Sequence, residues 1–442
     1  MAQATFHFPR GFLWGTATSS HQVEGNNTNN NWWAWEQEPG HILHEDRSGV
    51  ACDWWGGRWR EDFDLASEAG QNALRFSVEW SRIQPSPTRW DHAALDRYHE
   101  MVRSLKERNM ISMVTLHHFT DPIWVTEMGG WENEEIIKYF VKYTQKVVEA
   151  LGDYVNLWIT INEPNVLALL GYALARFPPG ERDLNSLGRV FSNLVRAHAA
   201  AYQVIHKLQS TAQVGIAFNY RPVMPYRSWS PLDRLQASLQ DNIFNENIPQ
   251  ALRTGKMGFL FWKKNLPKIK GTQDFIGLNY YSQEYTSFSL LRRQEFFSSH
   301  SYPSGATLSD TGFLANTPEG LIKAIHWALQ FKIPIIITEN GIENSADSLR
   351  QRYLIQHVHQ LWRAVNHNHP VKGYFHWTLV DNFEWERGWT QRFGLWELDL
   401  ATQTRRKRPS ADLYTEICRE NGLSSEMVER FAPELISSLF PG

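Results

Sequence analysis

The chain has 442 residues, a formal net charge of −3 and 42% hydrophobic residues, with a pI near 6.6. That balance excludes a whole-chain field drawing nucleic acid or an anionic membrane, and leaves a small neutral molecule as the expected partner. Cys52 and Cys418 are the only cysteines, too few for a disulfide framework and compatible with a reducing compartment, so a cytoplasmic location is expected.

The opening MAQATFHFPRGF lacks the basic start and apolar core of a secretory signal, and no apolar run reaches the ~18 residues of a membrane span. Short apolar runs then recur at 12–16, 73–78, 112–116, 157–161, 214–218, 275–279, 335–338 and 373–377, each readable as a strand. Between them, segments such as 93–108, 134–150 and 349–365 place apolar residues at helical spacing with charges opposite. Strand alternating with helix eight times predicts one α/β domain over 1–442, a single (β/α)8 TIM barrel with long βα loops. Trp32, Trp33, Trp54, Trp55 and Trp59 crowd the first of those loops, where packing of the loop is their expected role. The polar, Ser-rich stretch 291–316 reads as a long loop after the sixth strand, and RRKR at 405–408 as a solvated turn. From about 422 the chain is a C-terminal tail, packed or frayed.

Glu163 in TINEPN (160–165) and Glu339 in IITENG (336–341) each follow a β-branched run, the fourth and the seventh. In a parallel barrel all C-terminal strand ends open on one face, where barrel enzymes carry their chemistry. Both carboxyls are therefore expected on that face. Such a pair suits glycosidic-bond cleavage, in which one carboxyl protonates the departing oxygen while the other, ionised, attacks or stabilises an oxocarbenium-like centre. Two surface glutamates are the plainer alternative, but Asn162 and Pro164 flank one and Asn340 and Gly341 follow the other, giving tight strand exits. His117 and His118 are adjacent and so point to opposite faces of a strand. A paired-histidine metal site is not expected, and neither an HExxH run nor a cysteine cluster offers another.

The motifs FLWGTATSSHQVEG (12–25), RFSVEWSRI (75–83), TLHHFTDP (115–122), TINEPN, GLNYYS (277–282), IITENG, HWTLVDNFEWERG (376–388) and FGLWELD (393–399) occur in that order. With them the chain resembles family 1 of the glycoside hydrolases, the β-glucosidase family, over nearly its whole length. The resemblance implies a retaining (β/α)8 enzyme with no cofactor and no metal. It implies Glu163 as acid/base, Glu339 as nucleophile, Arg75 as the cation beside the nucleophile and Tyr281 as a donor to it. Asn162 is then expected at the sugar 2-hydroxyl, Gln22, His118, Glu384 and Trp385 at the other glycone hydroxyls, and Trp377 as the aromatic floor beneath the ring. The chain departs from the family pattern at Asn165, where many relatives carry tryptophan, and this points to a more polar aglycone side. Phe119 also stands where tryptophan is usual and lacks its indole N–H.

The expected activity is that of a retaining β-glucosidase, hydrolysing terminal non-reducing β-D-glucosyl residues of small oligosaccharides and aryl glucosides by double displacement. β-Galactosides and β-fucosides are further expected substrates. A 6-phospho-β-glucosidase would carry serine and basic neighbours in place of Glu384, and a myrosinase-like enzyme glutamine in place of Glu163. A non-catalytic sugar-binding relative would lack one of the two glutamates. A lyase or isomerase on the same barrel would show a metal cluster, a Schiff-base lysine or a phosphate-binding glycine loop. The expected partners are small-molecule β-glycosides, with no nucleic acid and no membrane.

Overall fold

The apolar runs form strands because they are buried on both faces, as a parallel sheet covered by helices requires. The computed structural model describes residues 4–259 and 262–441. The ends of the predicted domain, 1 and 442, and the first three residues of the opening scanned for a signal lie outside the described residues. The strands β1 (Leu13–Ala17), β2 (Ala73–Ser77), β3 (Ile111–His117), β4 (Leu157–Asn162), β5 (Gln213–Asn219), β6 (Phe275–Asn279), β7 (Ile335–Asn340) and β8 (Val371–Trp377) close in chain order into a parallel barrel. Every predicted run lies at one of them. The difference that matters is at β7, which runs two residues further than expected and so contains Glu339.

Side chains alternate across a strand with a period of two. On β2, Leu74 and Phe76 pack outward with the helices, while Ala73 faces the barrel interior beside Ala17, Met113 and Phe375. Arg75 shares the inward parity of Ala73 and is fully buried. Gly15 lets the interior close, because a Cβ there would stand 2.5 Å from the Ala73 carbonyl oxygen and 2.8 Å from the Phe375 ring. The alternation breaks where the site is built. Pairing shifts register between Ile159 and Asn162 on β4, between Leu278 and Asn279 on β6 and between Ile337 and Asn340 on β7. On β4, Leu157 and Ile159 face inward and Ile161 outward, so the bulge turns Asn162 inward. Bulges of this kind re-aim side chains at barrel rims.

The helices His92–Glu107, Ile136–Leu151 and Ser348–Asn366 match the three predicted segments. The first buries Tyr98, Met101, Val102 and Leu105, spaced as one helical stripe. Asp91 caps it by accepting from the Ala94 N–H at 3.0 Å, satisfying one of the orphan donors of the first turn.

Two expectations are corrected and an open one is decided. The stretch 291–316 is not loop throughout: strand Ser298–Ser301 pairs with Glu284–Phe288, which in turn pairs with Val223–Pro225 from the loop after β5. The RRKR run is only half solvated. Arg406 and Lys407 are exposed, but Arg405 bonds Asp62 at 2.8 Å and Arg408 clamps the buried Asp381 through two bonds at 2.9 and 2.8 Å. The tail is packed, with Gly422–Ser424 pairing Thr5–His7 and Phe440 stacking on Phe6 at 4.4 Å.

Candidate active site

Glu163, directly after β4, and Glu339, next to last in β7, meet in one polar cluster at the C-terminal face, both carboxyls buried. Glu339 accepts on each oxygen. Arg75 Nη1 donates to Oε1 at 2.6 Å and the Tyr281 hydroxyl to Oε2 at 2.5 Å. Arg75 is itself held by Thr115, the Thr338 carbonyl and Asn162 Oδ1, at 3.2, 3.0 and 2.6 Å. Glu163 is held differently. Asn279 and Asn219 both donate to its Oε1, at 2.7 and 3.0 Å, which leaves Oε2 as the place for a proton.

The amide orientations follow from their partners. The Thr338 hydroxyl donates to Asn279 Oδ1 at 2.6 Å, so the Asn279 amino group faces Glu163. Asn162 Oδ1 accepts from Arg75 and, at 3.2 Å, from Asn279. Its amino group therefore donates to His118 Nε2 at 3.0 Å. With Nε2 accepting, the His118 proton sits on Nδ1, an atom with no partner among the described residues. Burial, helped by the Arg75 charge, holds the His118 pKa well below the ordinary histidine range. The ring is thus a neutral donor.

Burial and then the charge on Glu339 push the Glu163 pKa up to about 8. Burial raises Glu339 as well, but the Arg75 guanidinium and the Tyr281 hydroxyl oppose it. A carboxyl bonded to a cation is the one that ionises first, so the pair holds its charge on Glu339 and its proton on Glu163.

The remaining predicted residues join the same cluster. Gln22 donates from Nε2 to the Phe383 carbonyl at 2.8 Å and to Glu384 Oε2 at 3.2 Å. Burial, followed by the charges of Glu386 and Glu339, raises the Glu384 pKa well above the carboxylate range. His118 stacks between Trp377 and Trp385, at centroid distances of 6.1 and 5.9 Å. His117 points the other way, bonded to Asp121 at 3.0 Å and packed against Trp131. Trp32, in the first loop, packs on Trp385 and Phe177, so one tryptophan of that group backs the cleft wall. Phe119 meets Trp385 edge-on at 5.1 Å. Asn165 turns its amino group to the carbonyls of Asn219 and Phe244, at 2.8 and 3.1 Å, which ties loops together rather than offering that group to an aglycone.

Three residues of this region hold left-handed backbone, Glu163 at φ 43°, Phe119 at φ 69° and Trp385 at φ 50°. Bulky residues in that conformation cost about 1–3 kcal/mol each and persist where the surroundings over-determine them. Pro164 follows Glu163 as the first residue of helix Pro164–Tyr172, a position that suits its missing N–H.

Asn219, Asn279, Thr115 and Thr338 were not anticipated. Asn279 and Asn219 do carry a signal, the first ending a predicted barrel strand and the second directly following one. A cavity of about 430 Å³ lies across Phe119 from the cluster, lined by Asp121, Trp131, Tyr172, Glu181 and Arg189 among others. Neither Glu163 nor Glu339 borders it. Among the described residues, no group of three His, Cys, Asp or Glu side chains is placed to hold a metal ion.

The chain is similar to known proteins over nearly its whole length. A β-glucosidase A from Thermotoga maritima is 33% identical, over 94% of this chain and 98% of its own. The structure of a β-glycosidase from Pyrococcus horikoshii superposes with a TM-score of 0.89 at 37% identity, covering 97% of this chain and 98% of that one. A Thermotoga maritima β-glucosidase in complex with glucoimidazole gives 0.88 at 32%, covering 95% and 100%. The model of glycosyl hydrolase family 1 matches residues 4–423, and the chain belongs to that family.

Proposed function

We propose that this protein is a retaining β-glucosidase acting by double displacement, with Glu339 as nucleophile and Glu163 as acid/base. The observation that carries the reading is the division of donors between the two carboxyls: a cation and a hydroxyl on Glu339, two amides on one oxygen of Glu163. In the first step a Glu339 oxygen bonds the anomeric carbon as the bond to the leaving oxygen breaks, and Glu163 gives that oxygen its proton. Esterification removes the negative charge on Glu339, so the Glu163 pKa falls. In the second step Glu163 takes a proton from water, whose oxygen bonds the anomeric carbon while the Glu339 carboxylate departs with the bonding pair. Two inversions leave the β configuration.

The second proton of the Asn162 amino group meets the sugar 2-hydroxyl, where bonds strengthen in the transition state. His118 Nδ1, Gln22, Glu384 and Trp385 take the other glycone hydroxyls, and Trp377 lies beneath the ring. The substrates are terminal β-D-glucosyl units of short oligosaccharides, cellobiose from cellulose breakdown among them, and aryl glucosides. The fold is read as one catalytic unit. Cys52 and Cys418 are both free and buried, which supports a cytoplasmic site of action. No described helix is long and apolar enough to cross a membrane. The test is proton NMR of nitrophenyl β-glucoside hydrolysis: β-glucose forms first and then mutarotates, whereas α-glucose first would overturn the retaining reading.

A further inference from the structure

The small sheet formed by Val223–Pro225, Glu284–Phe288 and Ser298–Ser301, with the helix Pro231–Gln240 packed on it, carries an exposed apolar surface that sugar hydrolysis does not use. Tyr226, Trp229, Leu232, Leu235, Leu290 and Leu291 all lie open to solvent, Trp229 at 76% and Leu291 at 95%. Such side chains singly are ordinary, but gathered they mark a contact surface. Gathered they are. Leu232 and Leu235 stand three apart on one helix and so share a side. Gln236 of that helix donates to the Phe296 carbonyl at 2.9 Å, and the Phe288 N–H donates to Asp233 at 3.0 Å. Those two bonds tie the helix to both ends of the turn that lifts Leu290 and Leu291.

The charge around them is one-sided. Segments 226–235 and 289–297 hold Arg227, Arg234, Arg292 and Arg293 against Asp233 and Glu295, while the chain as a whole is negative. Asp233 is buried under Arg227 and Glu295 pairs with Arg292. Exposed leucine and aromatic tips ringed by arginine suit the boundary of an anionic bilayer, where apolar tips enter the acyl edge and guanidinium groups stay with the phosphates. A second copy of this chain fits less well, since two-fold pairing sets the same arginines against each other.

We propose that this face docks the protein on anionic lipid surfaces. Both loops that build it leave the C-terminal ends of β5 and β6, the end that carries Glu163 and Glu339, so docking holds the catalytic face toward the bilayer side of the molecule. The sequence expectation of no membrane concerned spans and whole-chain charge; this surface is local and needs neither.

The test is sedimentation of the full chain with vesicles of phosphatidylcholine alone or mixed with phosphatidylglycerol. The expected result is binding to the mixed vesicles, loosened by ~1 M salt, where the Debye length is only ~3 Å. Leu290→Ser with Leu291→Ser should weaken partition roughly tenfold or more with nitrophenyl glucoside hydrolysis unchanged. Arg292→Gln with Arg293→Gln should remove the preference for phosphatidylglycerol. Failure of the wild-type chain to sediment with either vesicle, or equal binding by the leucine variant, overturns the proposal. A dimer that the leucine variant dissociates, without vesicle binding, assigns the face to self-association instead.

Discussion

Arg75 donates to Glu339 at 2.6 Å with side chains only 0% and 4% exposed, and this sealed ion pair is what separates two otherwise similar carboxyls. Arg75→Met leaves Glu339 without its cation. The Glu339 pKa then rises, so the acidic limb of the kcat/KM profile moves to higher pH, and the fold loses about 3–5 kcal/mol from a broken buried pair. The basic limb belongs to Glu163 and lies near its pKa of about 8. Because the Glu339 charge helps raise that value, Glu339→Gln lowers it. Carbon NMR titration of Glu163 reads the change directly, and a Glu163 that titrates alike in both proteins would refute the coupling.

Glu163→Gln keeps the two amide contacts in outline but cannot donate a proton. Substrates with poor leaving groups should slow by roughly 10²–10⁴-fold, while activated aryl glucosides lose far less in the glycosylation step. Equal losses on both would mean that Glu163 is not the acid. In Glu163→Ala, azide should restore turnover as a β-glycosyl azide, and an α product would contradict retention.

The role proposed for Glu384 predicts which sugars enter. A carboxyl aimed at the 4- and 6-hydroxyls meets an equatorial or an axial 4-hydroxyl, so glucosides and galactosides both turn over, glucosides faster. Burial raises the Glu384 pKa, so the case against 6-phosphoglucosides rests on the cations beside it, which among the described residues are already paired. Arg176 and Arg387 of that neighbourhood are engaged with Glu386. A phosphate there stays uncompensated at a cost of several kcal/mol, so rates on 6-phosphoglucosides should fall by about 10²-fold or more relative to glucosides. Glu384→Ser narrows that gap and slows ordinary glucosides. Comparable wild-type rates on the two sugars would make this a phospho-glycosidase.

The eight strands were legible because each is a short apolar run with helix-patterned sequence between, and Glu163 and Glu339 because each sits at such a run's end. What the sequence withheld depends on partners far along the chain. Arg405 reads as surface until Asp62, 343 residues away, is brought against it. Asn219 and Asn279 reach Glu163 across 56 and 116 residues, and Asn279 points there only because Thr338 holds its carbonyl oxygen. Asn162 faces inward through a register shift that no period-two pattern announces. The strand Ser298–Ser301 was hidden for a different reason: its partner Glu284–Phe288 lies in its own loop, but the polar run SSHS shows no apolar alternation.

The most direct test of the central claim is mapping the residue that becomes covalently glycosylated. A 2-deoxy-2-fluoro-β-glucoside with a good leaving group slows both steps but the second more, so the glycosyl-enzyme accumulates and survives proteolysis for mass spectrometry. The account predicts one label per chain, on the peptide carrying Glu339. A label on Glu163, or none despite competent binding of the inhibitor, would contradict it.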